Sequence, residues 1–176
     1  MALDILIVDD EQDIRDLVSG VLNDEGYGTR TAASSDEALA ALDERLPSLI
    51  LLDVWLRGSS MDGIELLRAI KMRDPQIPVI VFSGHGNIDT AVAAIGQGAA
   101  DFIEKPFEAD RLLLVLGRAL EAARLKRENL ELKSRAGEPD VLIGTCPAIV
   151  SLRRTIERVG PTGSRVLISG PAGSGK

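Results

Sequence analysis

The sequence contains a single cysteine, Cys146, and a single histidine, His85. One thiol cannot close an internal disulfide, so a reducing, cytoplasmic setting is expected. Neither residue has a partner at metal-ligand spacing, which argues against zinc. Positive charge is in deficit: 20 Lys and Arg face 27 Asp and Glu, a net charge of −7. A stretch of that sign does not grip a phosphate backbone by itself, so any DNA contact is expected elsewhere. No apolar run reaches membrane-spanning length, and Met1-Ala2-Leu3-Asp4 does not open a leader, so no membrane association is expected. No internal repeat is present. The 176 residues, 45% hydrophobic and 27% charged, suit a soluble protein with one well-buried domain and a fragment of another.

What is there is a series of short apolar runs that each end in a polar group. Leu3–Val8 runs into Asp9-Asp10, Leu49–Leu52 into Asp53, Val79–Phe82 into Ser83, and Phe102-Ile103 leads through Glu104 into Lys105-Pro106. A lone aspartate after a strand more often caps a turn; repetition at four strand ends argues for a shared pocket. Between the runs, apolar residues keep helical spacing: Ile14, Leu17, Val18, Val21 and Leu22; Ala38, Leu39 and Leu42 after the capping sequence Ser34–Glu37; Ile64, Leu67 and Ile70; and Ile88, Ala91, Val92 and Ile95 as an inner face. Gly28–Ala32 supplies a further short strand. Five strands alternating with helices predict an α/β fold, a doubly wound parallel sheet of order 2-1-3-4-5, with a crevice between the first and third strands. Asp9, Asp10 and Asp53 would meet there.

Three converging carboxylates repel unless a cation sits among them or a proton is taken up. An oxygen-only donor set favours a hard ion, Mg²⁺ before Ca²⁺. With a metal on Asp10 and Asp53, one Asp53 oxygen stays free to attack phosphorus. Lys105 adds a mobile positive charge and Ser83 a hydroxyl for a phosphoryl oxygen. The set suits formation of an aspartyl phosphate. A phosphatase with an Asp-x-Asp nucleophile motif is disfavoured, because the second position is Trp55. A nucleotide hydrolase whose acidic strand follows its phosphate loop is disfavoured because Asp53 precedes the candidate loop. His85, between glycines, reads as an exposed loop residue and not a base.

Val8-Asp9-Asp10, Leu51-Leu52-Asp53, Phe82-Ser83-Gly84 and Glu104-Lys105-Pro106-Phe107 resemble, in order and spacing, the four signatures of the two-component receiver domain, a flavodoxin-like fold. The resemblance implies that Asp53 accepts phosphate from a sensor histidine kinase. It further implies that Asp9, Asp10, Asp53 and the backbone carbonyl of Trp55 hold Mg²⁺, that Ser83 and Lys105 contact the phosphoryl group, and that Phe102 is the switch aromatic. Ser83 would close on the phosphate as Phe102 moves inward, remodelling the surface from the fourth strand to the fifth helix.

Beyond Glu108, Leu112, Leu113 and Leu116 can still pack on the sheet, while helix-forming residues continue without Gly or Pro from Arg118 to Ala136. Leu113, Leu116, Leu120 and Ala123 fit one heptad register and Ala122, Leu125, Asn129, Leu132 and Ala136 a second, so a two-stranded coiled coil and a solvated linker helix both remain open. Gly137-Glu138-Pro139 marks a boundary. A helix over roughly Ala148–Val159 and a strand Arg165–Ser169 follow. Gly170-Pro171-Ala172-Gly173-Ser174-Gly175-Lys176 then matches the opening of a phosphate loop, with Gly170, Gly173, Gly175 and Lys176 as nucleotide-binding candidates.

The expected organisation is a receiver domain over residues 1–120, a linker helix over 121–138 and the start of an AAA+ ATPase domain over 139–176. Together these resemble transcriptional activators of the NtrC type, nearest the nitrogen-metabolism branch. That implies ATP binding in a full-length parent only, and contact with DNA and RNA polymerase only through domains beyond this stretch. A phosphorylation-controlled regulatory module, not itself an enzyme, that forms a homodimer is the leading expectation. The alternatives are a nucleotide-binding ATPase fragment on a non-switching scaffold and a dimerisation domain independent of phosphorylation.

Overall fold

The computed structural model describes residues 3–84, 88–135, 144–162, 165–167 and 169. Strands β1 (Asp4–Val8), β2 (Gly28–Ala32), β3 (Leu49–Asp53), β4 (Val79–Ser83) and β5 (Asp101–Glu104) form one parallel sheet of order β2-β1-β3-β4-β5. Helices α1 (Gln12–Asp24), α2 (Ser35–Glu44), α3 (Gly63–Arg73) and α4 (Ile88–Gly96) connect them, and α5 (Ala109–Arg135) follows β5. The expected fold class and strand order are therefore observed.

The sheet is double-sided because β3 and β4 are apolar at every position but the last and are buried along their whole length. Side chains alternate between faces with period two. On one face Leu6, Val8, Ile50 and Leu52 pack with Leu42, Leu66 and Leu67. On the other, Ile5, Ile7, Leu49 and Leu51 pack with Val18, Leu22, Leu112 and Leu116. Each such side chain stabilises the fold by roughly 1.5–3 kcal/mol, so a few layers can carry the several kcal/mol demanded by a buried charge cluster.

Register places the strand ends together. Val8 pairs with Leu52 and with Ala32, Asp53 with Phe82, and Ser83 with Glu104. Residues following those pairs leave the sheet at one edge, its carboxyl edge. Helix starts are fixed locally: Ser34 caps α2 by accepting from the Glu37 N–H, and Asp62 and Glu65 form a reciprocal capping box on α3.

Several expectations about helix faces are corrected. The stripe of α4 turns outward: Ile88 and Val92 are 78% and 65% exposed, Ile95 is also exposed, and Ala94 is the buried residue. Its neighbours in the core include Ala99, Val79 and Val81, and the small Ala94 side chain suits a close approach there. Leu17 of α1 is likewise exposed, leaving Val18 and Leu22 as its buried pair. In α5, Leu116 lies in the sheet-facing core with Leu112 and Ala119, and Leu113 and Leu120 pack against the same cluster. The first heptad register is thus the stripe that docks α5 on its own domain. The second register stays exposed at Leu125 and Leu132.

The chain divides into two compact units, residues 1–131 and 132–176. In the second, α6 (Pro147–Val159) forms as expected but buries none of its residues. The expected strand Arg165–Ser169 is not formed at 165–167, where Val166 and Leu167 are exposed. A strand persists through ladder hydrogen bonds to a neighbour, and among the described residues of this unit no other strand offers them. His85, Ala136, the boundary Gly137–Pro139 and the phosphate-loop residues Gly170, Gly173, Gly175 and Lys176 lie outside the described residues. Among the described residues no helix is long and apolar enough to cross a membrane.

Candidate functional site

Three carboxylates converge at the carboxyl edge of β1 and β3. Asp9, Asp10 and Asp53 each offer an oxygen within 4.8 Å of the others, with Asp9 and Asp53 buried and Asp10 half-buried. The backbone sets this up. Asp9 extends the β1–β2 ladder by donating its N–H to Ala32 O at 3.1 Å, and its Oδ1 accepts from Glu11 N at 2.8 Å. Asp53 is the last residue of β3, and its Oδ1 accepts from Trp55 N at 3.2 Å. Beyond it Gly63 packs so closely that an added Cβ would lie 2.0 Å from Asp53 O, so only glycine lets α3 begin there.

Lys105, carried past β5, donates from Nζ to Asp9 Oδ2 at 2.7 Å and to Asp53 Oδ2 at 2.6 Å. Its backbone N–H donates to Ser83 O at 2.8 Å, so the strand ladder itself delivers the side chain. The ammonium also lies 4.8 Å from the centroid of the Phe82 ring, which Phe107 meets edge-on at 6.0 Å. Burial and the shared cation act in opposite directions on the titration of the pair. Burial pushes the Asp53 carboxyl above the usual carboxylate range, and Lys105 and the Trp55 N–H offset this only in part. Burial also pulls on Lys105 in the direction of its neutral form, but hydrogen bonds and charge from Asp53 and Asp9 outweigh it and hold the ammonium above its ordinary value.

Three carboxylates against one ammonium leave a charge of about −2 when all are ionised. The donors are all oxygens, so the cluster matches a hard divalent cation, Mg²⁺ in preference to a softer metal. The cleft over it has a volume of about 640 Å³ and is lined by Asp10, Asp53, Trp55, Arg57, Gly84, Thr90 and Lys105, among others. Trp55, on its wall, is 55% exposed.

The structure therefore brings together Asp9, Asp10, Asp53 and Lys105, with Trp55 on the wall. Ser83 ends β4 beside them, fully buried, and hydrogen-bonded through its backbone to Lys105. Phe102 stands apart from this group, half-buried in β5 and packed against the core on the face of Leu6 and Val8. Sequence reasoning missed Phe82 as the floor under Lys105, because it reads as one more apolar residue of β4. Gly63 was missed too, though a glycine opening a helix directly after an acidic cap is a readable signal.

Comparison with known proteins agrees with this geometry. The response regulator receiver domain model matches residues 5–116. The nitrogen assimilation regulatory protein NtrX of Azorhizobium caulinodans is 59% identical over 176 residues, all of this chain and 38% of that protein. The crystal structure of NtrX from Brucella abortus superimposes with a TM-score of 0.83 at 59% identity, covering 99% of this chain and 38% of that one. The receiver domain of the Brucella abortus protein, solved alone, gives 0.66 at 64% identity and covers 67% of this chain and 98% of its own. The chain thus spans well under half the length of its full-length relatives. Sheet order, acidic cluster and sequence similarity agree: this chain belongs to the response regulator receiver domain family, and its close homologues are NtrX response regulators.

Proposed function

We propose that this chain is a phosphorylation switch in which Asp53 accepts a phosphoryl group from the phosphohistidine of a sensor kinase. The carrying observation is the Lys105 ammonium held between Asp9 and Asp53 in a three-carboxylate cluster that keeps an unbalanced charge. Asp9, Asp10, Asp53 and the Trp55 backbone carbonyl would hold Mg²⁺, which when bound neutralises charge on the transferring phosphoryl group. An Asp53 oxygen attacks phosphorus, the new O–P bond forms as the N–P bond to the donor histidine breaks, and the imidazole nitrogen leaves with the electron pair. Lys105 then exchanges its Asp53 contact for a phosphoryl oxygen, and the Ser83 hydroxyl engages a second one. Phe102, half-buried on the neighbouring strand, reports the change to the surface of α4, β5 and α5.

In this reading residues 1–120 are the receiver, 121–138 the linker helix and 139–176 the start of an ATPase domain. Two copies pair through the exposed α5 register that contains Leu125 and Leu132. ATP hydrolysis, DNA contact and control of nitrogen-related promoters belong to the longer protein.

The test is incubation with a labelled small-molecule acyl phosphate and Mg²⁺. The wild-type chain should take up one phosphoryl group, with none taken up in EDTA or by Asp53→Ala. Label that persists in Asp53→Ala would remove Asp53 as the acceptor.

A further inference from the structure

The loop that follows Asp53 is tied down at both ends. At its base the Gly63 N–H donates to Val54 O at 2.9 Å. At its far end three serines meet. Ser35 N–H donates to Ser59 Oγ at 2.6 Å, Ser59 Oγ donates to Ser35 Oγ at 2.8 Å, and Ser60 Oγ donates to Asp36 Oδ1 at 2.9 Å. Ser35 Oγ and Ser60 Oγ lie 3.0 Å apart, and Met61 N–H donates to Ser35 Oγ at 3.3 Å.

Proton counting orders this cluster. A hydroxyl has one proton to give. Ser60 spends its proton on Asp36, so Ser35 must be the donor in the bond to Ser60. The result is a directed chain, Ser59 to Ser35 to Ser60 to the Asp36 carboxylate, in which each link polarises the next. Ser35, completely buried, is the node: it gives one hydrogen bond from its hydroxyl and accepts two.

That node does not itself line the cleft. The helix that carries it begins just after Ala32, whose carbonyl accepts from Asp9 N–H, and the loop it holds begins just after Asp53. Between the two anchor points runs the segment with Trp55 and Arg57, which walls the cleft. We infer that Ser35 is a positioning residue for the acidic cluster, setting the backbone at Trp55 and through it the affinity for Mg²⁺. This rests on the Mg²⁺-dependent reading proposed above. Truncating the node leaves the Ser59 hydroxyl and the Met61 N–H without their acceptor, so the loop stays tied to α2 only by the backbone N–H of residue 35 to Ser59 and by Ser60 to Asp36, while the carboxylates stay in place.

Trp55 is the single tryptophan of the chain, so its fluorescence reports the cleft directly. The experiment titrates the full chain with MgCl₂, following Trp55 emission and, in parallel, heat release and thermal unfolding. Groups hydrogen-bonded directly to a metal ligand typically change metal affinity 10–100-fold; Ser35 acts one stretch of loop further out, so Ser35→Ala should weaken Mg²⁺ binding by about fivefold, below that range. Ser35→Thr, which keeps the hydroxyl, should restore most of the loss. Ser59→Ala, at the half-buried end of the chain of hydroxyls, supplies the same test if Ser35→Ala does not fold, with a smaller weakening in the same direction expected. A fall in unfolding temperature with Mg²⁺ affinity unchanged in the folded variants would reduce Ser35 to a structural residue and overturn the inference. A wild-type chain whose Trp55 emission, heat exchange and unfolding temperature are all unchanged by Mg²⁺ would overturn it together with the function proposed above.

Discussion

Lys105 answers the question raised by three acids in one crevice. Two of them, Asp9 and Asp53, are buried, and without a counter-charge each would carry a large desolvation penalty. The ammonium reaches both at once and is itself almost enclosed. Replacing it by an uncharged side chain of similar length therefore leaves two buried carboxylates facing each other. Lys105→Met should lower stability at neutral pH in EDTA by about 3–5 kcal/mol, the range for a broken buried pair, as read by urea unfolding. Saturating Mg²⁺ should narrow the gap, since a cation in the cluster takes over part of the neutralisation. The alkaline limb has a defined sign. Because the folded-state pKa of Lys105 is raised, its contribution is complete below the unfolded value of 10.5 and is lost as pH rises through the higher folded value. The difference between wild type and Lys105→Met should accordingly shrink above pH 10.5, and a difference that grows there would contradict the assignment of Lys105 as the shared cation.

Among the secondary-structure elements, the α5 helix joins two kinds of surface in one continuous helix. Its first half is a core element, with Leu112, Leu116 and Ala119 buried against the sheet; beyond it Leu125, Leu130 and Leu132 are exposed. Leu116→Ala should cost about 2–5 kcal/mol, whereas Leu125→Ala should leave the unfolding of the monomer within about 0.5 kcal/mol and act instead on self-association. Equilibrium unfolding beside sedimentation of the same two variants separates these outcomes; equal destabilisation by both would mean that the exposed register is packed in solution. This helix also shows where sequence is readable. Spacing identifies a stripe but not its partner, so one heptad pattern fits both a coiled coil and a docking face. In α4 the same limit acts on direction: Ile88, Val92 and Ile95, with Ala91, mark a face, yet Ala94 is the residue buried in the core. The central strands lack this ambiguity because β3 and β4 are apolar on both sides, and their ends locate Asp53 and Ser83 without any tertiary information. Ser35 and Phe82 escape such reading for the opposite reason. Their significance lies in contacts with residues 23 or more positions away, which no local pattern encodes.

Over the whole molecule, the buried apolar residues are concentrated in one unit. Both described core clusters fall between Ile5 and Leu120, inside the unit that spans residues 1–131. In the other unit, α6 keeps Leu152 and Ile156 exposed, and Val166 and Leu167 are exposed as well. A folded unit must offset a conformational entropy of about 1–2 kcal/mol per ordered residue, and burial of apolar surface is the main term able to do so. Residues 1–131 satisfy that condition among themselves. The described part of the second unit does not, since its large apolar side chains remain in contact with water. A fragment ending at Glu131 should therefore unfold within about 2 °C of the full chain and bind Mg²⁺ with the same affinity, the shift in Tm expected when less than about 0.5 kcal/mol is lost. Hydrogen exchange on the full chain should show slow amides in β1, β3 and β4 and exchange within seconds to minutes across α6, where opening needs little apolar surface to be uncovered. A fragment that melts well below the full chain, or α6 amides as slow as those of β3, would contradict the concentration of stability in residues 1–131.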